Sequence, residues 1–143
     1  MVLTEKEMNV IKDLQTQEQS CVEKYKKYGE QAKDQELKNL FGRLQKEEQK
    51  HLDSLGQVLN DSDGKDYEPK ASYTQLGNPE DKKSDCFLAT DCIGTEKLVS
   101  SEYNSNVFNF GDPELRKLLA DIQIEEQNHA EMLYKYKEAN GMS

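Results

Sequence analysis

Both histidines of this chain stand three residues after a glutamate, as Glu48-x-x-His51 and Glu126-x-x-His129. On a helix that spacing puts a carboxylate and an imidazole on one face, where both can point at a single cation. The chain holds 17 glutamates in 143 residues. At that density one histidine finds a glutamate three positions back with a chance of roughly 0.12, and both do so at roughly 0.014. Two lone glutamates join the pattern, because the sequence repeats itself. Shifting it by 78 positions without gaps lays Glu18 on Glu96, Tyr25 on Tyr103, Asp34 on Asp112, Glu48 on Glu126, His51 on His129 and Leu55 on Leu133. Glu18, Glu48, His51, Glu96, Glu126 and His129 are thus the candidate metal ligands, enough donors for two ions per chain. Oxygen and imidazole donors of this kind suit iron or manganese, and zinc can substitute.

The elements that must position these residues are helices. The periodicity predicts a first helix over about 4–32, a second over about 34–60 opened by Asp34 as N-cap, a third over about 84–109 and a fourth over about 113–140. Asp112-Pro113 is an N-cap followed by proline at the first helical position, and Asn140-Gly141 is a stop. Between the second and third helices, about 60–84, the residues are rich in Gly, Pro, Asp, Asn and Ser and read as a loop. Short turns make each half an antiparallel hairpin, and a long connection between hairpins predicts an antiparallel four-helix bundle with a crossover running its length. The whole chain, 1–143, reads as one domain.

Each helix has an apolar seam that breaks near its middle. The second runs Leu37, Leu40, Leu44, then Glu48 and His51, then Leu55 and Val58; the fourth runs Leu115, Leu118, Ile122, then Glu126 and His129, then Leu133 and Tyr136. Glu18 lies among Ile11, Leu14, Cys21, Tyr25 and Tyr28, and Glu96 among Leu88, Cys92, Val99 and Tyr103. Four carboxylates in one apolar interior would lose hydration worth several kcal/mol each. Two divalent cations would balance them and give each polar atom a partner. Tyr25 and Tyr103 each follow a lone glutamate by seven residues, two turns along the same face, which places a phenol near the centre, either to hydrogen-bond a ligand carboxylate or relay electrons, or simply as a core tyrosine, the reading preferred over an electron relay. Glu47 and Glu125 sit one position off the seam and read as solvated, as do Glu23, Glu30, Glu102, Glu114 and Glu131.

The formal charge of −9 and a pI near 4.8 exclude a nucleic-acid or anionic-membrane partner that needs clustered Lys and Arg. No run of apolar residues is long enough to span a bilayer, and the start, MVLTEKEMNV, carries acids where a signal peptide would be basic. Three cysteines without a C-x-x-C pair, Cys21, Cys92 and a loop residue Cys86, predict reduced thiols in a cytoplasmic protein. A homodimer is expected, since most oligomers are twofold.

The six ligand candidates resemble the ferritin-like di-metal carboxylate superfamily, of the rubrerythrin and bacterioferritin type, over the four predicted helices. The segments AKDQELKNLF with EEQKH, and DPELRKLLADIQIEEQNHAEML with a closing KEANGM, resemble more narrowly the spore coat protein F family, whose fold is ferritin-like. The superfamily resemblance implies Glu18 and Glu96 as terminal ligands, Glu48 and Glu126 as bridging carboxylates, and one imidazole to each of two iron or manganese ions. It implies an oxidoreductase acting on peroxide or dioxygen, or oxidising Fe(II). The chain lacks the rubredoxin-like C-x-x-C pairs of rubrerythrins, so an external electron donor would be needed. The coat-family resemblance implies instead a structural protein of the spore, in which the metals only brace the fold or are vestigial.

Overall fold

The computed structural model describes residues 3–57 and 73–142. Among them the chain is all-α, with four long helices, a short 3-10 turn and no strand: α1 (Glu5–Gln31), α2 (Gln35–Gln57), α3 (Pro79–Asn106), the 3-10 turn Val107–Asn109, and α4 (Pro113–Ala139). Residues 32–34 join α1 to α2 in one hairpin, residues 107–112 join α3 to α4 in the other, and the hairpins meet along α1 against α3 and α2 against α4. Val58 and most of the 60–84 connection lie outside the described residues.

Local signals explain where the helices begin and end. Thr4 accepts from the Glu7 amide while the Glu7 carboxylate accepts from the Thr4 amide, a reciprocal cap that satisfies two otherwise orphaned donors. Asp34 Oδ1 accepts from Glu36 N at 3.1 Å and Asp112 Oδ1 from Glu114 N at 2.8 Å, opening α2 and α4 at equivalent points of the repeat. α4 stops at Asn140, and Gly141 takes the left-handed φ of 65° that follows a helix end.

The third helix starts five residues earlier than expected, at Pro79 and not near 84. Asn78 caps it through Oδ1 to the amides of Glu80 and Asp81, Pro79 pre-sets the first turn, and two acids follow in the positive end of the helix dipole. Asn78-Pro79 is the same signal as Asp112-Pro113, hidden among turn-forming neighbours. Cys86 consequently lies in a helix and not in a loop.

Two apolar clusters fill the interior. One includes Leu37, Leu40, Leu44, Leu88, Leu133 and Tyr136, the other Ile11, Leu14, Leu55, Val99, Leu118 and Ile122. Along α2 the chain passes from Leu44 in the first to Leu55 in the second, and along α4 from Ile122 in the second to Leu133 in the first. The Glu-x-x-His segments occupy the interval between them on both helices. Of the predicted seam residues, Tyr28 is only half buried, and its hydroxyl reaches Asp91 Oδ2 of α3 at 2.8 Å.

One end of the molecule is tied by polar groups. Asp85 of α3, fully buried, accepts from the amides of Lys33 and Asp34, both at 2.8 Å. Asp34 accepts from the Tyr136 hydroxyl at 2.6 Å, and Asn140 Oδ1 accepts from Leu76 N at 2.7 Å, so both hairpins and the end of the connecting segment are fastened together.

Candidate metal centre

All four helices deliver acids or histidines to the interval between the apolar clusters. Glu18 from α1, Glu48 and His51 from α2, Glu96 from α3, and Glu126 and His129 from α4 are each no more than 2% exposed. The donors gather in two groups, Glu18, Glu48, His51 and Glu126 in one and Glu48, Glu96, Glu126 and His129 in the other, with the donor atoms of each group within 4.8 Å of one another. Glu48 and Glu126 belong to both.

The repeat reappears as a twofold pattern of contacts. His51 Nδ1 lies 2.8 Å from Glu126 Oε1, and His129 Nδ1 lies 2.8 Å from Glu48 Oε1; each histidine faces the paired glutamate of the opposite hairpin. The same nitrogens stand 3.7 Å from Glu18 Oε2 and 3.4 Å from Glu96 Oε1 respectively. The imidazole rings stack nearly parallel, 5.8 Å between centroids and 13° apart. The tyrosines cross between hairpins: Tyr103 donates to Glu18 Oε1 at 2.6 Å, and Tyr25 donates to Glu96 Oε1. Both phenols are pushed well above their ordinary range by burial and by the carboxylate each one faces, so both stay protonated donors.

The carboxylates and imidazoles satisfy one another only in part. Glu18 Oε2, Glu48 Oε2, Glu96 Oε2, both Glu126 oxygens and His51 Nδ1 are sealed from solvent without a hydrogen-bond partner. His51 Nδ1 is close to Glu126 Oε1, but the two are not aligned as donor and acceptor. Buried polar atoms are nearly always paired, and six orphans converging on one place fit a shared cation better than a packing fault. Each of the two groups could therefore hold a metal ion, and Glu48 and Glu126 are common to both.

The electrostatics of the metal-free centre point the same way. Burial, then the Glu48 charge, pushes Glu18 well above the usual carboxylate range; burial, then the charges of Glu48, Glu96 and Glu18, does the same to Glu126. Burial would also raise Glu48, but the closeness of Glu18, the His129 hydrogen bond and the His51 imidazole outweigh it and hold that carboxyl well below its ordinary value. Burial would lower both imidazoles, yet the surrounding carboxylates win: His51 is held well above its usual value and His129 is raised to about 10. Protons thus balance the charge that cations would balance.

Glu125 was expected in solvent but meets His51 Nε2, the ring nitrogen that faces away from the centre. That contact orients the imidazole with Nδ1 inward. Its repeat counterpart Glu47 instead pairs with Lys50 Nζ at 3.3 Å. Cys21 and Cys92 are buried free thiols, kept protonated by burial and then by nearby acids. No described helix is long and apolar enough to cross a membrane.

Glu96, Glu126 and His129 all lie in the second hairpin, and there the comparison with known families is positive. Residues 84–143 match the Coat F domain. No curated protein and no solved structure matches the chain. The match spans nearly all of α3 and the whole of α4; the first hairpin is tied to it by the 78-residue repeat.

Proposed function

We infer that this chain is a spore coat protein built on a ferritin-like four-helix bundle, whose buried centre binds two divalent metal ions that hold the hairpins together. The match of residues 84–143 to the Coat F domain carries the coat assignment. The ferritin-like arrangement is supported by two hairpins that share one polar centre and are joined by a long connecting segment. In this reading Glu18 and Glu96 would be terminal ligands, steadied by Tyr103 and Tyr25; Glu48 and Glu126 would be shared; and His51 and His129 would give one imidazole to each ion. Every helix contributes at least one donor, so metal binding couples directly to the packing of the hairpins.

A second reading draws on the same shared pair, Glu48 and Glu126, and on the two tyrosines. Iron or manganese ions, when bound, would supply electrons to peroxide or dioxygen, or Fe(II) would itself be the species oxidised. The chain's own part would be to exclude water with its two apolar layers, to let the shared carboxylates change partners, and to keep two protonated phenols beside the terminal carboxylates.

Two measurements separate these readings. Fractionation of spores from the native host is expected to find the chain in the coat; its confinement to the vegetative cytoplasm would refute the coat assignment. Anaerobic Fe(II) loading followed by peroxide is expected to give uptake without sustained turnover if the metals brace the fold. Repeated oxidation and re-reduction with an added donor would favour the redox reading.

A further inference from the structure

A groove of about 790 Å³ runs between α3 and α4 and reaches the centre from one side, with Glu96 and Glu126 in its lining. Ser100, Gln127 and Ala130 lie beside them. The repeat supplies an internal comparison: the positions of Ser100 and Ala130 are occupied on the first hairpin by Val22, which is buried, and by Leu52, which is half buried. Branched side chains thus stand on α1 and α2 where α3 and α4 carry a hydroxyl and a methyl.

Ser100 adds a second observation. Its neighbour Ser101 bonds back to the Lys97 carbonyl at 3.0 Å, the ordinary resort of a helical serine, whereas Ser100 Oγ is sealed from solvent and makes no hydrogen bond within the protein. It stands one turn from Glu96, on the same face. Hydroxyl and amide groups along the wall, above a carboxylate floor, are the surroundings in which a hydrated cation can shed water by steps and not all at once. Glu96 and Glu126 are at most 1% exposed, so the last step needs only local movement of the side chains above them.

We propose that this groove is the inlet through which divalent cations reach the buried centre, admitting them from the α3–α4 side, next to Glu96 and Glu126. The proposal rests on the metal-centre reading. It makes Ser100 and Ala130 residues that control loading without binding metal at equilibrium, and it makes the two hairpins unequal in function despite their common plan. The inlet lies wholly inside the segment that matches the Coat F domain.

The test is the rate at which chelator-stripped protein takes up Co²⁺, followed by its visible absorption after rapid mixing. S100V/A130L, which installs the first hairpin's residues, is expected to load about tenfold more slowly, since each new opening of the filled groove adds to the barrier, and to end at the wild-type stoichiometry and spectrum. V22S/L52A, which leaves the α3–α4 groove untouched, is expected to load no more slowly than wild type. Because a filled groove could disturb folding, A130C offers a plug on an otherwise unaltered chain: a bulky disulfide-forming reagent should slow loading, reductant should restore it, and wild type treated alike should be unaffected. Wild-type loading rates in both S100V/A130L and plugged A130C overturn the inlet, as does an altered end spectrum in S100V/A130L, which would make these residues part of the ligand packing. Wild-type protein that takes up no Co²⁺ fails differently, since it removes the centre itself.

Discussion

His51 is gripped from both sides, with Nδ1 toward Glu18, Glu48 and Glu126 and Nε2 against Glu125, whereas the carboxylate equivalent to Glu125 on the other hairpin has turned to Lys50. A carboxylate behind a ligating imidazole fixes its orientation and raises its basicity, and losing it typically costs about tenfold to a hundredfold in metal affinity. Glu125→Gln should therefore weaken metal binding at the His51 group by that amount in a calorimetric titration, while Glu47→Gln leaves binding unchanged; equal effects from the two variants would contradict the asymmetry. The convergence of the six side chains was legible, because a 78-residue repeat and a broken apolar seam mark corresponding positions in both halves. Glu125 was less so. The apolar seam marks only residues that point at the core, whereas Glu125 reaches the outer edge of an imidazole on another helix.

Helices α2 and α3 are linked end to side by Asp85, which accepts from the buried Asp34 amide and the part-buried Lys33 amide at the turn before α2. Asp85→Ala would strand the buried Asp34 donor and leave the Lys33 amide to water, and at about 1–3 kcal/mol for one buried unsatisfied group the loss of stability should be about 1–3 kcal/mol by denaturant unfolding, with Asp85→Asn recovering part of it. A loss below about 0.5 kcal/mol would show that the turn does not depend on this carboxylate. Nothing in the periodicity of α3 announces this role, because Asp85 has no partner within its own helix and acquires one only when the hairpins meet. Helix type and number were plain from period and caps. The start of α3 was not, because Asn78-Pro79 stands among Gly, Asp and Lys residues whose turn-forming character outweighed a sound capping signal.

The whole molecule carries a polar layer between two apolar ones, and its metal-free stability should report how that layer is neutralised. Both imidazoles have raised values in the fold, so their contribution is complete below the unfolded histidine value near 6.5 and is lost as pH rises through their folded values, about 10 for His129. Glu18 and Glu126, also raised, favour the protonated fold and act in the same direction above the ordinary carboxylate range. Glu48, depressed, opposes them only in acid, where its contribution is lost as pH falls. The melting temperature of metal-free protein should accordingly decline from pH 6.5 to 10, and added divalent metal should flatten that decline by taking the place of the protons. A metal-free melting temperature that stays constant over this window would contradict the charge balance described for the centre.

The central claim, that six buried side chains converge because cations belong among them, is tested most directly by anomalous diffraction from crystals of protein purified from its native host, with data on both sides of the iron, manganese and zinc edges. The account predicts two peaks per chain, both in contact with Glu48 and Glu126, one beside His51 and the other beside His129. Density for six intact side chains with no anomalous signal, before and after soaking in divalent metal, would contradict it.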